Sequence, residues 1–193
     1  MSRHSQLRFP FLKLRRENAY GGTLRRRRDR RGARPVSSRH ALHMVFKSSS
    51  AKGPTSFLHP RSRVILHRTL RQMAKRYGLR VHEVGICGNH FHMLVRFHHR
   101  RYLLAFNRVF TGTLVKRLCG SQKLEKRFFD FRPFTRVVES RRGYQIARDY
   151  VLLNQLEGLR IIPYQRERTR SAWWRNRVSP EEPPPEPVLP FMR

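Results

Sequence analysis

Two histidines one residue apart, His90 and His92, and a tyrosine with an amide four residues on, Tyr150 and Asn154, are the residues of this 193-residue chain whose types and spacing suit joint chemistry. In a β-strand side chains alternate, so His90 and His92 face one way and Phe91 enters the core on the other. Two imidazoles on one face make half of a divalent-metal site. With ten histidines in the chain, such a pair arises easily by chance and carries weight only beside a second element. That element is Asp149-Tyr-Val-Leu-Leu-Asn-Gln-Leu-Glu-Gly158. On a helix Tyr150 and Asn154 stand one turn apart on one face, where a phenol offers a nucleophile and an amide oxygen a third ligand. Gln155 lies about 100° further round and is the alternative ligand.

The elements that must position these residues follow from apolar periodicity. Arg39 to Lys47 reads as a strand, and residues 61–77 as a helix capped by Ser62, with Leu66, Leu70, Met73 and Tyr77 on its buried stripe and Gly78 ending it. Leu79 to Cys87 and Phe91 to Phe97 read as two strands, joined by the Gly88-Asn89 turn of an antiparallel hairpin. Residues 101–118 form a second helix on the stripe Leu103, Phe106, Phe110, Leu114 and Leu118. Phe128 to Val138, broken by Pro133, reads as an edge strand or an extended loop. A third helix over 141–157 stops at Gly158. The order predicts an α+β, ferredoxin-like antiparallel sheet with helices packed on it.

The charge is extreme: 43 Lys and Arg against 12 Asp and Glu, a net of +31. Such a chain repels itself and calls for a polyanion, nucleic acid first. Thirteen Lys and Arg lie in the first 40 residues against Glu17 and Asp29, with Arg25, Arg26, Arg27 and Arg28 in one run. Residues 1–35 are therefore expected to be a largely disordered basic arm, 36–162 the folded domain, and 163–193 a basic and aromatic segment, with Trp173 and Trp174, running into a Pro-rich tail. An anionic membrane surface is the rival polyanion. With no run of 18 apolar residues no spanning helix is expected, the lack of a continuous apolar leader argues against secretion, and nucleic acid rather than membrane is the expected partner. Cys87 and Cys119 read as buried, reduced thiols, and the expected setting is cytoplasmic, at the bacterial nucleoid.

Taken together, Gly88-Asn-His-Phe-His-Met-Leu-Val95 resembles the histidine–hydrophobic–histidine (HUH) motif of the single-tyrosine transposases, including the branch associated with repetitive extragenic palindromes. Tyr150-Val-Leu-Leu-Asn154 resembles that family's tyrosine helix, and Arg132-Pro-Phe-Thr-Arg-Val137 a segment preceding it. The similarity covers about residues 36–160. It implies an enzyme that nicks and joins single-stranded or hairpin DNA, with Mg²⁺ or Mn²⁺ held by His90, His92 and Asn154. Tyr150 would be the nucleophile of a covalent 5′-phosphotyrosine link.

Other residues fit the same partner. Arg127, Arg132 and Arg136 alternate with aromatics, an arrangement that grips phosphates and stacks bases, although four Phe in that stretch equally suit a core. Converging carboxylates of the kind a two-metal nuclease needs do not stand out, and neither a P-loop nor a Rossmann glycine fingerprint is present. Two other readings remain: a non-enzymatic nucleic-acid-binding protein, either an inactive transposase derivative or an RNA-binding factor, and a structural Zn²⁺ site at His90 and His92. The pattern leaves monomer or dimer open.

Overall fold

The computed structural model describes residues 19–21, 34–120 and 127–163. The Arg25–Arg28 run, Trp173, Trp174 and the Pro-rich tail lie outside the described residues. Five strands, β1 (Ala19–Tyr20), β2 (Ala41–Lys47), β3 (Arg80–Ile86), β4 (His90–Arg96) and β5 (Phe134–Val138), form one sheet in the order β1-β5-β2-β4-β3. Every neighbouring pair is antiparallel. Helices α1 (Pro60–Arg76), α2 (Arg100–Cys119) and α3 (Arg141–Gly158) complete the fold. The units β2-α1-β3 and β4-α2-β5 interlock, each leaving room for a strand of the other, which is the expected ferredoxin-like α+β arrangement.

The period of two in the strands sorts residues between two unlike faces. Leu42, Met44 and Phe46 of β2 with Phe91, Met93 and Val95 of β4 meet the stripes Leu66, Leu70 and Met73 of α1 and Leu103, Phe106, Phe110 and Leu114 of α2. Phe46 stacks on its cross-strand partner Phe91 at 4.8 Å, and Phe57 and Phe110 meet Phe91 edge-on. Truncating any one of these buried rings to Ala costs about 3–5 kcal/mol, so this face dominates stability. The opposite face is thin: Ala41, Leu94, Val138 and Ala147, with Tyr144 against them, hold α3 to the sheet.

Local signals account for the element ends, with two corrections. Helix α1 starts one residue early because Pro60 suits the first turn, and Ser62 is not its cap: its hydroxyl is buried and donates to the Pro54 carbonyl at 2.8 Å. Gly78 at φ 62° ends the helix as expected, with Leu79 N–H reaching back to the Ala74 carbonyl at 2.9 Å. Gly88 and Asn89 make a two-residue turn closed by Cys87 N–H to the His90 carbonyl at 2.9 Å. The second correction concerns β5, which begins immediately after Pro133, where the missing donor is harmless, and pairs with β2 from Phe134 to Val138. It is not the outermost strand, because Ala19 and Tyr20 of the basic N-terminal stretch pair with Arg136 and Thr135 on its far side. The aromatics before it suit a core and base stacking equally by sequence, and two of them take the first place. Phe128 is buried against Phe57, and Phe129 packs against Phe46 and Phe57, so these two rings are core and not base-stacking platforms.

Helix α3 approaches the sheet at two glycines. A Cβ on Gly85 would run into the Val151 carbonyl oxygen and lie 3.0 Å from Val151 Cγ1. A Cβ on Gly158 would lie 2.8 Å from the Ile86 carbonyl oxygen. Gly85→Ala is therefore expected to push α3 off β3 and lower stability by about 1–3 kcal/mol, read as a reduced urea midpoint. An unchanged midpoint would mean that α3 is not held against the sheet at this point.

Candidate metal and tyrosine site

Cross-strand register builds the site in rows on the α3 face. Glu83, Leu94, His43 and Arg136 face one another in one row, and Gly85, His92, Val45 and Phe134 in the next. The third row holds Lys47 and His90, with Cys87 opposite His90 across the hairpin turn. His90 and His92 thus share a face, as alternation requires, and Phe91 is fully buried behind them. Because Gly85 has no side chain beside His92, α3 comes down there and brings Tyr150 over the imidazoles. The Tyr150 ring meets His92 edge-on at 5.4 Å and His43 edge-on at 5.9 Å.

His43 is a member of the site that spacing alone did not reveal, since its partner His92 lies 49 residues away. It is buried, stacks on His92 with rings 6° from parallel, and has Nε2 3.2 Å from His92 Nδ1. His90 Nδ1 lies 2.8 Å from the Asn89 side-chain oxygen. When each Nδ1–H donates along these contacts, Nε2 of both His90 and His92 carries the lone pair, the form in which imidazole binds a metal.

Cys87 is the second unforeseen member. Its sulfur and one nitrogen each of His90 and His92 all lie within 4.8 Å of one another. The thiol donates to the Asn154 carbonyl at 3.3 Å. Asn154 itself is buried, and its Nδ2 donates to the Tyr150 carbonyl at 2.6 Å, which leaves Oδ1 as the side-chain atom with lone pairs to offer. Gln155 is half-buried, one residue further round the helix. Three nitrogen and sulfur donors this close could hold a divalent metal once drawn together, and the sulfur makes the set softer than the all-oxygen surroundings Mg²⁺ prefers.

Of the expected phosphate-gripping residues, Arg127 and Arg132 are exposed, whereas Arg136 is buried in the row of His43. Glu83 and Asp149 have carboxyls raised above their ordinary range by burial, with the Arg148 guanidinium opposing the shift in each. Comparison with protein-family models and with curated proteins finds no match, so geometry and chemistry carry the functional argument.

Two of the imidazoles, His43 and His90, are held neutral. Burial, helped by the Arg136 charge, pushes His43 down to about 3, and burial with Lys47 nearby pushes His90 down to about 4, from an ordinary 6.5. Above pH 6.5 both rings are neutral folded or unfolded, and stability does not depend on them. Below 6.5 the unfolded chain takes up protons that the folded chain refuses, so stability falls until the folded values are reached. Each ring contributes a slope of about 1.4 kcal/mol per pH unit in that window. The expected result is a urea midpoint that drops steadily from pH 6.5 to pH 4, with a shallower drop for His43→Gln. A midpoint level between pH 7 and pH 5 would show that these rings do not titrate in this way.

Proposed function

We propose that this chain is a metal-dependent, single-tyrosine DNA nickase and strand transferase of the transposase type, acting on single-stranded or hairpin DNA. The observation that carries the reading is the Tyr150 ring standing edge-on against His92 at 5.4 Å, with Asn154 one helical turn beyond it. A nucleophile, an imidazole pair and an amide belong together in this chemistry, and here they come from elements some 60 residues apart in sequence. The charge of +31 supports a polyanionic substrate.

In this reading the Tyr150 phenol oxygen attacks the scissile phosphorus. The new O–P bond forms as the bond to the 3′ oxygen breaks; the phenol proton is lost to solvent and the departing oxygen takes one up, giving a 3′-hydroxyl and a 5′-phosphotyrosine. The link conserves the phosphodiester, so a second 3′-hydroxyl reverses the step on another strand without ATP. His90 and His92, with the Asn154 side-chain oxygen or Gln155, would hold the divalent ion, Mg²⁺ or Mn²⁺. Once bound, that ion supplies neutralisation of the charge that builds on the phosphate oxygens. Arg136 adds a fixed positive charge in the row of His43.

Incubation with single-stranded oligonucleotides and Mn²⁺ is expected to give a covalent adduct that survives denaturing electrophoresis. Tyr150→Phe should abolish it while leaving DNA affinity within about twofold, since the variant keeps every charge. Wild-type protein that binds these oligonucleotides but forms no adduct on any of them would favour a non-enzymatic nucleic-acid-binding role.

Binding itself is expected to weaken with salt, with a log–log slope of about −0.7 for each phosphate contacted on a single strand. A flat response in a filter-binding titration would remove the polyanion from the reading altogether.

A further inference from the structure

We propose that Cys87 is a metal ligand and that the site made by Cys87, His90 and His92 takes a thiophilic divalent ion of the Zn²⁺ or Co²⁺ class. The inference rests on the imidazole pair being a metal site, as in the function proposed above, but not on the DNA chemistry.

Three observations point the same way. The first is geometric: one donor atom from each residue lies within 4.8 Å of the other two. A tetrahedral ion with Zn–S near 2.3 Å and Zn–N near 2.0 Å needs donors about 3.3–3.5 Å apart. The donors must draw together by at most about 1.5 Å, through rotation about side-chain torsions. The second is the hairpin. Cys87 N–H bonds to the His90 carbonyl across the two-residue turn, so the ends of the strands present these side chains at a fixed separation. The third is the ring contacts: His90 Nδ1 is held by Asn89 and His92 Nδ1 by His43, which leaves Nε2 of each ring as the nitrogen with a lone pair to offer a metal.

The donor chemistry selects the ion. A thiolate and two imidazoles suit Zn²⁺, Co²⁺ and Fe²⁺, whereas Mg²⁺ prefers oxygen and holds its waters tightly. In this set the amide oxygen drops out as a ligand, and the three protein ligands leave one tetrahedral position open, the pattern of catalytic and not of structural zinc. On binding, the Cys87 S–H bond breaks, its proton passes to solvent and one metal–sulfur bond forms; nothing is oxidised or reduced. The hydrogen bond from the thiol to the Asn154 carbonyl is given up in the same step.

Cobalt makes the thiolate visible. The full chain titrated with Co²⁺ is expected to bind it stoichiometrically, with a near-ultraviolet sulfur-to-cobalt charge-transfer band that Zn²⁺ abolishes. The band should vanish in Cys87→Ala and persist in Cys119→Ala, which removes the other thiol. Zn²⁺ affinity should fall about 100-fold in Cys87→Ala, at the upper end of what loss of even an outer-sphere partner costs. Because the wild-type spectrum needs no variant, a misfolded Cys87→Ala leaves the test intact. Failure to bind Co²⁺, binding without the band, or a band lost in Cys119→Ala would each overturn the assignment. Its failure is separable from that of the enzyme reading: no band with an Mn²⁺-dependent adduct sinks only the thiolate ligand, and a band with no adduct sinks only the transposase chemistry.

Discussion

Everything at this site depends on how closely α3 can approach the sheet. Gly85 faces His92 across the β3–β4 pair, and the Val151 backbone lies where a Gly85 side chain would be. Any other residue there would hold the helix away, and Tyr150, the residue before Val151, would rise off the imidazoles with it. Gly158 plays the same part at the far end, where a Cβ would press on the Ile86 carbonyl and on Cys87 Cα at 3.1 Å. A glycine in a strand is weakening in itself, and here the loss is exchanged for close backbone approach.

The two faces of the sheet divide the work. The α1/α2 face is filled by aromatic and aliphatic side chains and holds most of the buried core. The α3 face keeps few apolar residues and is therefore free to hold His43, His92 and Asn154 buried at a net cost. That cost has a chemical consequence. Burial, Arg136 and Lys47 all act against protonation of His43 and His90, so lone pairs stay available at neutral pH and protons do not compete with a metal. In a chain with so few acids, the same positive surroundings that would suppress an imidazolium favour a bound phosphate.

Much of this arrangement was legible in the sequence because it rests on short-range pattern. The stripes of α1 and α2, the Gly78 stop and the Gly88-Asn89 hairpin each follow from neighbours within a turn or two. His90 and His92 sharing a face needs only a strand. What could not be read depended on register between distant segments. His43 is a partner of His92 only because β2 lies beside β4, and Ala19–Tyr20 is too short to show any period. Arg136 reads as a surface cation until β5 is seen to lie inside the sheet, between β1 and β2. Pro133 misled for the opposite reason: a strand that starts after it loses nothing. Cys87 stands between these cases. Once the two-residue turn is accepted, Cys87 must lie opposite His90, and a thiol joins the histidine pair from sequence reasoning alone.

That placement ties the sheet to the helix through a single thiol. Cys87 donates to the carbonyl of Asn154, whose side chain donates to the carbonyl of Tyr150, so a continuous path of two hydrogen bonds joins the hairpin end to the residue that carries the phenol. Both bonds end on backbone carbonyls of α3. A change in the state of the sulfur therefore alters how the last turns of the helix are held, and not only the local donor set. The thiol bond is buried, where a lost hydrogen bond is not replaced by water and its cost is felt in full, whereas the amide bond is part-buried. The hairpin end beside the histidine pair and the helical turn that carries Tyr150 are thus joined by hydrogen bonds.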